Sequence, residues 1–344
     1  MRQVSLETQW HESDDVVGWF ALERFANGLR LFKNDRLLID YTDMLQLFLD
    51  RGRAPRLDVM FVDEAQDLSP LQWAVVRKLC ESADRIYIAG DDDQAIYRWA
   101  GADVDYLIRN SKDAMVLKQS YRIPKSIHTL AERCIGQVAS RVQKTWNPRK
   151  EAGHVSWEKS YESIDMESGD WLVLARTNYL LNGIEEHCRS EGWFYKTKNR
   201  NSVSEKKVKA VRDWETLRKG GEILLVDLIK VLNYMRVSVP TSLERNDFDS
   251  NISFEEAQSY LPDLKQEYWY DLFDGISVSE RSYIRAMLRR GEKITKEPRI
   301  KLSTIHAAKG GEAENVILLT DISNRIYKSY QANPDDESLS LIHI

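Results

Sequence analysis

The chain has 344 residues, 42% apolar and 30% charged, with a formal net charge of −5. It is long enough for two or three buried cores, and its charge is not the basic footprint of a typical nucleic-acid binder. A strand can still be gripped by stacking, with positive charge confined to one groove, so the acidic balance excludes no nucleic-acid function. Cys80, Cys134 and Cys188 are far apart and form no CxxC pair. That excludes a disulfide framework or zinc signature and points to a reducing cytoplasm. No run approaches the ~18–20 apolar residues of a membrane span. "ILLVDLIKVL" (223–232) is interrupted by Asp227 and Lys230, and the first residues lack the apolar core of a signal peptide.

In chain order, "LDVMFV" (57–62), "RIYIAG" (85–90), "AMVLK" (114–118), "WLVLAR" (171–176) and "NVILLTD" (315–321) read as buried strands. Between the first two, Ser69 suits a helix N-cap and Pro70 a first turn, with Leu71, Val75 and Leu79 on one face. The resulting strand-helix-strand unit predicts a parallel α/β sheet with functional groups beyond the strands' C-terminal ends. The acids at 63–67 and 91–93 fall at such ends. Residues 203–294 are charged and helical around a loop-like 238–251, after which an α/β pattern resumes at "RIKLSTIHAAKG" (299–310).

Four segments carry candidate chemistry. In "VDEAQD", Asp63 can hold Mg²⁺ while Glu64 positions an attacking water; a solvated loop is the bland alternative. In "GDDDQAIYRWAGA", Gln94 can sense a terminal phosphate. Tyr97 and Trp99, if the segment is extended, point the same way and can stack on bases, although core packing is the commoner fate of such rings. Arg98 can reach a backbone phosphate. In "LKQSYRIP", Tyr121 can stack on adenine and Arg122 can reach a γ-phosphate, or both are surface residues. In "LSTIHAAKGGEAENVILL", Thr304, His306 and Lys309 offer phosphate donors, Glu312 can accept from a ribose, and Gly310 and Gly311 permit close backbone approach.

The order and spacing of these segments resemble the UvrD/Rep-type superfamily 1 DNA helicases: "VDEAQD" resembles the Walker B motif, and the next three resemble motifs III, IV and V. "IDYTDMLQLF" (39–48) resembles the segment before Walker B. The resemblance covers roughly 36–200 and 296–321. It implies two RecA-like parallel-sheet motor domains, the first incomplete, with ATP in the cleft between them and a helical accessory insertion in the second. The implied domains are 1–35 (remnant of an accessory insertion), 36–112 (first motor domain), 113–202 with 295–344 (second motor domain) and 203–294 (helical insertion). By position, Asp63 would bind Mg²⁺, Glu64 would activate water, Gln94 would contact the γ-phosphate, and Tyr121 would stack on adenine. Arg122 would be an arginine finger from the second motor domain, and Glu312 would assist at the nucleotide. Tyr97, Trp99 and Arg98 would contact DNA, with Thr304, His306 and Lys309 near the strand. The implied partners are single-stranded or partly duplex DNA and repair or replication proteins, with 3′-to-5′ movement and no membrane.

The chain departs from that pattern in what it lacks. None of its 16 glycines precedes a lysine, so it has no GxxxxGK[ST] loop to cradle phosphates, and no threonine precedes an arginine as in motif VI. An incomplete gene product is expected, poor at hydrolysis by itself. Ala100 replaces a common arginine, and Gly311 and Ala313 flank Glu312 where bulkier residues are usual. Two other classes compete: a strand- or partner-binding module without turnover, and a metal nuclease using Asp63, Asp91, Asp92 and Asp93. Against the nuclease, no lysine lies near these acids in sequence.

Overall fold

The computed structural model describes residues 18–322 except 140, 199, 245–246 and 293–295, together with 324, 327, 328 and 331. The side chains of Trp99 and Glu244 are outside that description, as are residues 1–17 of the expected insertion remnant and the polar-to-apolar tail at 332–344. Two compact units divide the chain at Val155/Ser156.

In the first unit, α1 (Trp19–Arg36) is followed by α2 (Tyr41–Arg51), which starts at a reciprocal cap. The Asp40 carboxylate accepts from Asp43 N at 2.9 Å and the Asp43 carboxylate from Asp40 N at 3.0 Å. Strands β1 (Leu57–Val62) and β2 (Ala83–Ile88) pair in parallel, with Phe61 opposite Tyr87, and α3 (Pro70–Cys80) crosses between them. Ser69 caps the helix as expected, and Gln72 answers it in a reciprocal capping box. The buried face of α3 differs from the sequence expectation. Trp73 is buried with Val62 and Ala65, and half-buried Val76 and Leu107 pack against them, while Leu71, Val75 and Leu79, also half-buried, lie outside that cluster. The indole sets the rotation because it is the largest apolar group on the helix and packs against Tyr106, the rings tilted at 40° with centroids 4.5 Å apart. On the other face of the sheet, Phe61 (76% exposed) stacks on Tyr87 at 5.1 Å.

Residues 114–118 do not form the expected strand: Met115 and Leu117 are exposed, and the only pairing nearby is the isolated bridge Gln119–Asn147. Apolar composition alone does not make a strand where no neighbour supplies a ladder. Past α4 (Val104–Asn110), this stretch leads into α5 (Lys125–Ile135).

The second unit holds β3 (Trp171–Ala175), β4 (Tyr195–Lys196), β7 (Ile300–Thr304) and β8 (Asn315–Leu318) in the all-parallel order β4-β7-β3-β8. Leu172 to Ala175 are all buried, as expected for a strand covered on both faces. After α6 (Asn182–Glu191) comes the helical region: α7 (Glu205–Arg218), α8 (Leu225–Met235), α9 (Phe254–Tyr260) and α10 (Val278–Arg290). A short antiparallel pair, β5 (Ile223–Leu224) with β6 (Asn251–Ile252), lies inside it. One apolar cluster runs from Val173 and Ile300 of the sheet through Ile184 to Trp214, Leu228 and Met287, so these helices share the core of the sheet they interrupt. Buried Asp227 is tolerated there because Lys209 and Lys230 both pair with it. Cys188 is buried and burial pushes its thiol up to about 12, which makes it a packing residue. Among the described residues no helix is long and apolar enough to cross a membrane.

Trp214 is fully buried and donates from Nε1 to Glu267 O at 3.0 Å. Trp214→Ala is expected to cost about 3–5 kcal/mol, seen as a lower urea midpoint for the second unit.

Candidate functional site

β1 and β2 end side by side, and their ends are tied together: Ala89 N donates to Val62 O at 2.7 Å and Ala65 N to Ala89 O at 3.0 Å. Beyond this point Asp63, Glu64, Gln66, Gly90, Asp91 and Gln94 line a recess of about 120 Å³. Asp63 Oδ1 accepts from Glu64 N at 2.8 Å, and Glu64 sits at φ 51°, in the left-handed region. That turn points the chain from the strand into the 3₁₀ turn Ala65–Asp67.

Gln66, fully buried, is the residue that sequence reasoning missed. Its Nε2 donates to Glu64 Oε2 at 2.5 Å, and its Oε1 accepts from Asp91 N at 3.0 Å. One amide therefore fixes the carboxylate after β1 relative to the loop after β2. Gly90 makes room for it: a Cβ there would stand 3.0 Å from Gln66 Oε1 and 2.9 Å from Leu107 Cδ2. Gln94 continues the chain of contacts, donating from Nε2 to Asp91 Oδ2 at 2.8 Å. The legible signal for Gln66 was its place two residues after Glu64, on a loop forced back under its own strand.

The three acids after β2 are neutralised from about fifty residues away. Lys144 Nζ lies 2.7 Å from Asp91 Oδ1, 2.5 Å from Asp92 Oδ1 and 3.0 Å from Asp93 Oδ2. Arg141 clasps Asp93 with two bonds of 2.8 and 2.7 Å, and Val142 N donates to Asp92 at 2.6 Å. Burial would raise the Asp91 carboxyl, but the Lys144 charge and hydrogen bond and donation from Gln94 outweigh it and hold Asp91 below the usual range. For Asp93, burial wins over Arg141 and Lys144 and the carboxyl is raised. Burial disfavours the Lys144 ammonium, yet the three carboxylates overcome it and raise its pKa. The sequence distance counted against a nuclease does not hold in space: Lys144 lies among Asp91, Asp92 and Asp93, in the place an external cation would take. Among the described residues no group of three His, Cys, Asp or Glu side chains is arranged to hold a metal.

Asp63 has no ion-pair partner among the described residues. An exposed carboxylate beside a second one is the donor set Mg²⁺ uses when water and phosphate complete its shell, so the residues present fit that ion. The recess is too small for a nucleotide and matches a terminal phosphate with its ion; ligand pockets are usually about 300–1,000 Å³.

The other candidate residues fall in separate places. Tyr97 packs against Ile96, Ile135 and Val138, and Arg98 pairs with Asp105 at 3.3 Å. The segment Arg98–Ala100 is a 3₁₀ turn and not extended, so alternation does not align Tyr97 with Trp99. Tyr121 (87% exposed) and Arg122 lie on an exposed loop pinned by Ser120 N to Asn147 O (2.9 Å) and Arg149 N to Ile123 O (2.9 Å). Residues 113–155 fall in the first compact unit, where Arg141 and Lys144 pair with Asp93 and Asp91. In the second unit Thr304 ends β7 and its Oγ1 accepts from Ala307 N at 3.3 Å. His306 Nδ1 meets Arg176 at 3.3 Å, Lys309 is half-buried, and Glu312 is exposed.

Parallel strands with acids at their C-terminal ends and a helical crossover form a RecA-like α/β arrangement. Residues 23–115 match the model of the UvrD/REP helicase N-terminal domain. The chain is 28% identical over 208 residues to the ATP-dependent DNA helicase PcrA of Bacillus subtilis, covering 56% of this chain and 26% of that protein. DNA helicase II of Escherichia coli is 29% identical over 143 residues, 37% of this chain and 20% of its own length. A probable DNA helicase II homolog of Rickettsia conorii is 26% identical over 189 residues, with shares of 48% and 28%. Over these segments the chain is similar to UvrD/Rep-type helicases, and it spans about a quarter of the length of the curated relatives it matches.

Lys144 is 14% exposed, so Lys144→Met leaves buried Asp92 and partly buried Asp91 without an ion pair, while Arg141 still holds Asp93. The expected loss is about 3–5 kcal/mol at neutral pH. The depressed Asp91 pKa contributes stability present above its unfolded value of about 3.8 and lost as pH falls through the folded one. The gap between wild type and variant should therefore shrink from pH 6 to pH 3, measured by denaturation at each pH.

Proposed function

We propose that this chain carries part of the motor of an ATP-dependent DNA helicase or translocase moving 3′ to 5′ on single-stranded DNA. The observation that carries the reading is the Gln66 bridge, which holds Glu64 beside Asp91 and Gln94 at the ends of neighbouring parallel strands. Asp63 would hold Mg²⁺, which when bound neutralises phosphate charge. Glu64 takes a proton from an attacking water, and Gln94, swinging from Asp91, donates to the terminal phosphate. Tyr121 and Arg122 serve the adenine and the γ-phosphate, with Glu312 at the nucleotide. Tyr97, Trp99, Arg98, Thr304, His306 and Lys309 contact the strand. A role beside repair or replication proteins in the cytoplasm follows from this reading alone.

The chain itself has no glycine followed by lysine and so no loop of backbone donors for the β- and γ-phosphates. That favours, for the chain alone, strand binding without turnover. Fluorescence anisotropy with labelled oligo(dT) and a phosphate-release assay test both parts. Binding that weakens with salt is expected, together with hydrolysis no faster than in Glu64→Gln. No binding at low salt would overturn the strand reading, and turnover abolished by Glu64→Gln would overturn the inactivity of the chain.

A further inference from the structure

The second unit contains a recess of about 740 Å³ that none of the helicase motifs enters. It opens where the loop after β4 meets the starts of α7 and α10. Arg189, Arg200, Lys206 and Lys207 face it, against two carboxylates, Glu205 and Glu280.

These cations are not equivalent. Lys207 is taken by Glu280, at 2.8 and 2.7 Å. Arg189 belongs to the wall, donating from Nε to Tyr195 Oη at 3.1 Å with its guanidinium over the Tyr283 ring. Arg200 and Lys206 are exposed, and neither has an ion-pair partner among the described residues. Between them Ser204 is exposed, and its hydroxyl makes no capping bond to the helix it precedes. The recess thus has a positive excess, two uncommitted cations and a spare hydroxyl.

The volume matches a nucleotide-sized group, yet the lining contains no aromatic ring. A base would have nothing to stack on, whereas phosphate oxygens would meet a guanidinium, an ammonium and a hydroxyl. We propose that this recess is a contact for the phosphodiester backbone of a nucleic acid, with Arg200 and Lys206 each neutralising one phosphate. The contact reads no sequence and rests on the proposal that the chain binds a strand.

The test compares the full chain with Arg200→Gln/Lys206→Gln and with a charge-matched control, Lys219→Gln/Lys265→Gln, whose positions lie outside the recess. Circular dichroism and melting establish that each is folded, which the exposure of all four positions favours. Affinity for oligo(dT) is measured across a salt series. Loss of two contacts should lower the slope of log K against log salt by about 1.4 and weaken binding roughly 10- to 30-fold near 0.1 M salt, with the control unchanged. If wild type binds and the recess variant matches it in slope and affinity, the recess inference falls and the strand reading survives. If wild type does not bind, both fall. Inorganic phosphate, titrated by calorimetry, distinguishes the source. Phosphate binding that needs Arg200 and Lys206, with oligo(dT) affinity independent of them, would make this a free-anion site and overturn the backbone assignment.

Discussion

The candidate site depends on one buried amide. Gln66 has both ends of its side chain engaged, the donor by Glu64 and the acceptor by the backbone of Asp91. Neither strand end alone fixes where Glu64 points, because Glu64 itself is exposed and sits on a turn. With the amide in place, the carboxylate after one strand and the glutamine after the next belong to a single rigid unit. Removing it would leave a buried backbone donor unmet, at a cost of about 1–3 kcal/mol.

The same corner of the fold treats two sets of acids in opposite ways. Asp91, Asp92 and Asp93 are consecutive and largely desolvated, an arrangement sustainable only with a cation among them. Lys144 and Arg141 supply it from the polypeptide. Asp63 receives no such neighbour among the described residues. Local charge balance thus separates carboxylates that organise the loop from one left available for an external ion, a distinction that a list of acidic residues does not make.

Much of this was legible in the sequence where the physics is local. The strand at 57–62, its terminal acids and the Ser69 N-cap follow from neighbouring residues, and each appears where expected. The motif order carried the resemblance to the helicases that residues 23–115 match. The parts that were not legible depend on partners far along the chain. The Lys144 cage joins positions about fifty residues apart, and "RVQK" gives no local hint of it. Residues 114–118 have the composition of a strand and lack a neighbour to pair with. Tyr97 and Trp99 were read on an assumed extended backbone, and a turn removes the alternation. The buried face of α3 was misjudged because periodicity favoured three aliphatic residues over one indole.

Glu64 adopts a positive φ, a backbone state that costs a side-chain-bearing residue free energy and that glycine or asparagine adopts more readily. A glycine at position 64 would relax the turn and remove the carboxylate in the same step. Backbone relaxation and the proposed chemistry therefore pull in opposite directions at this residue, and loss of the carboxylate would also leave the buried Gln66 amide donor unmet. A screen that rewarded backbone relaxation alone would drift toward losing the group to which the proposed function gives the attacking water.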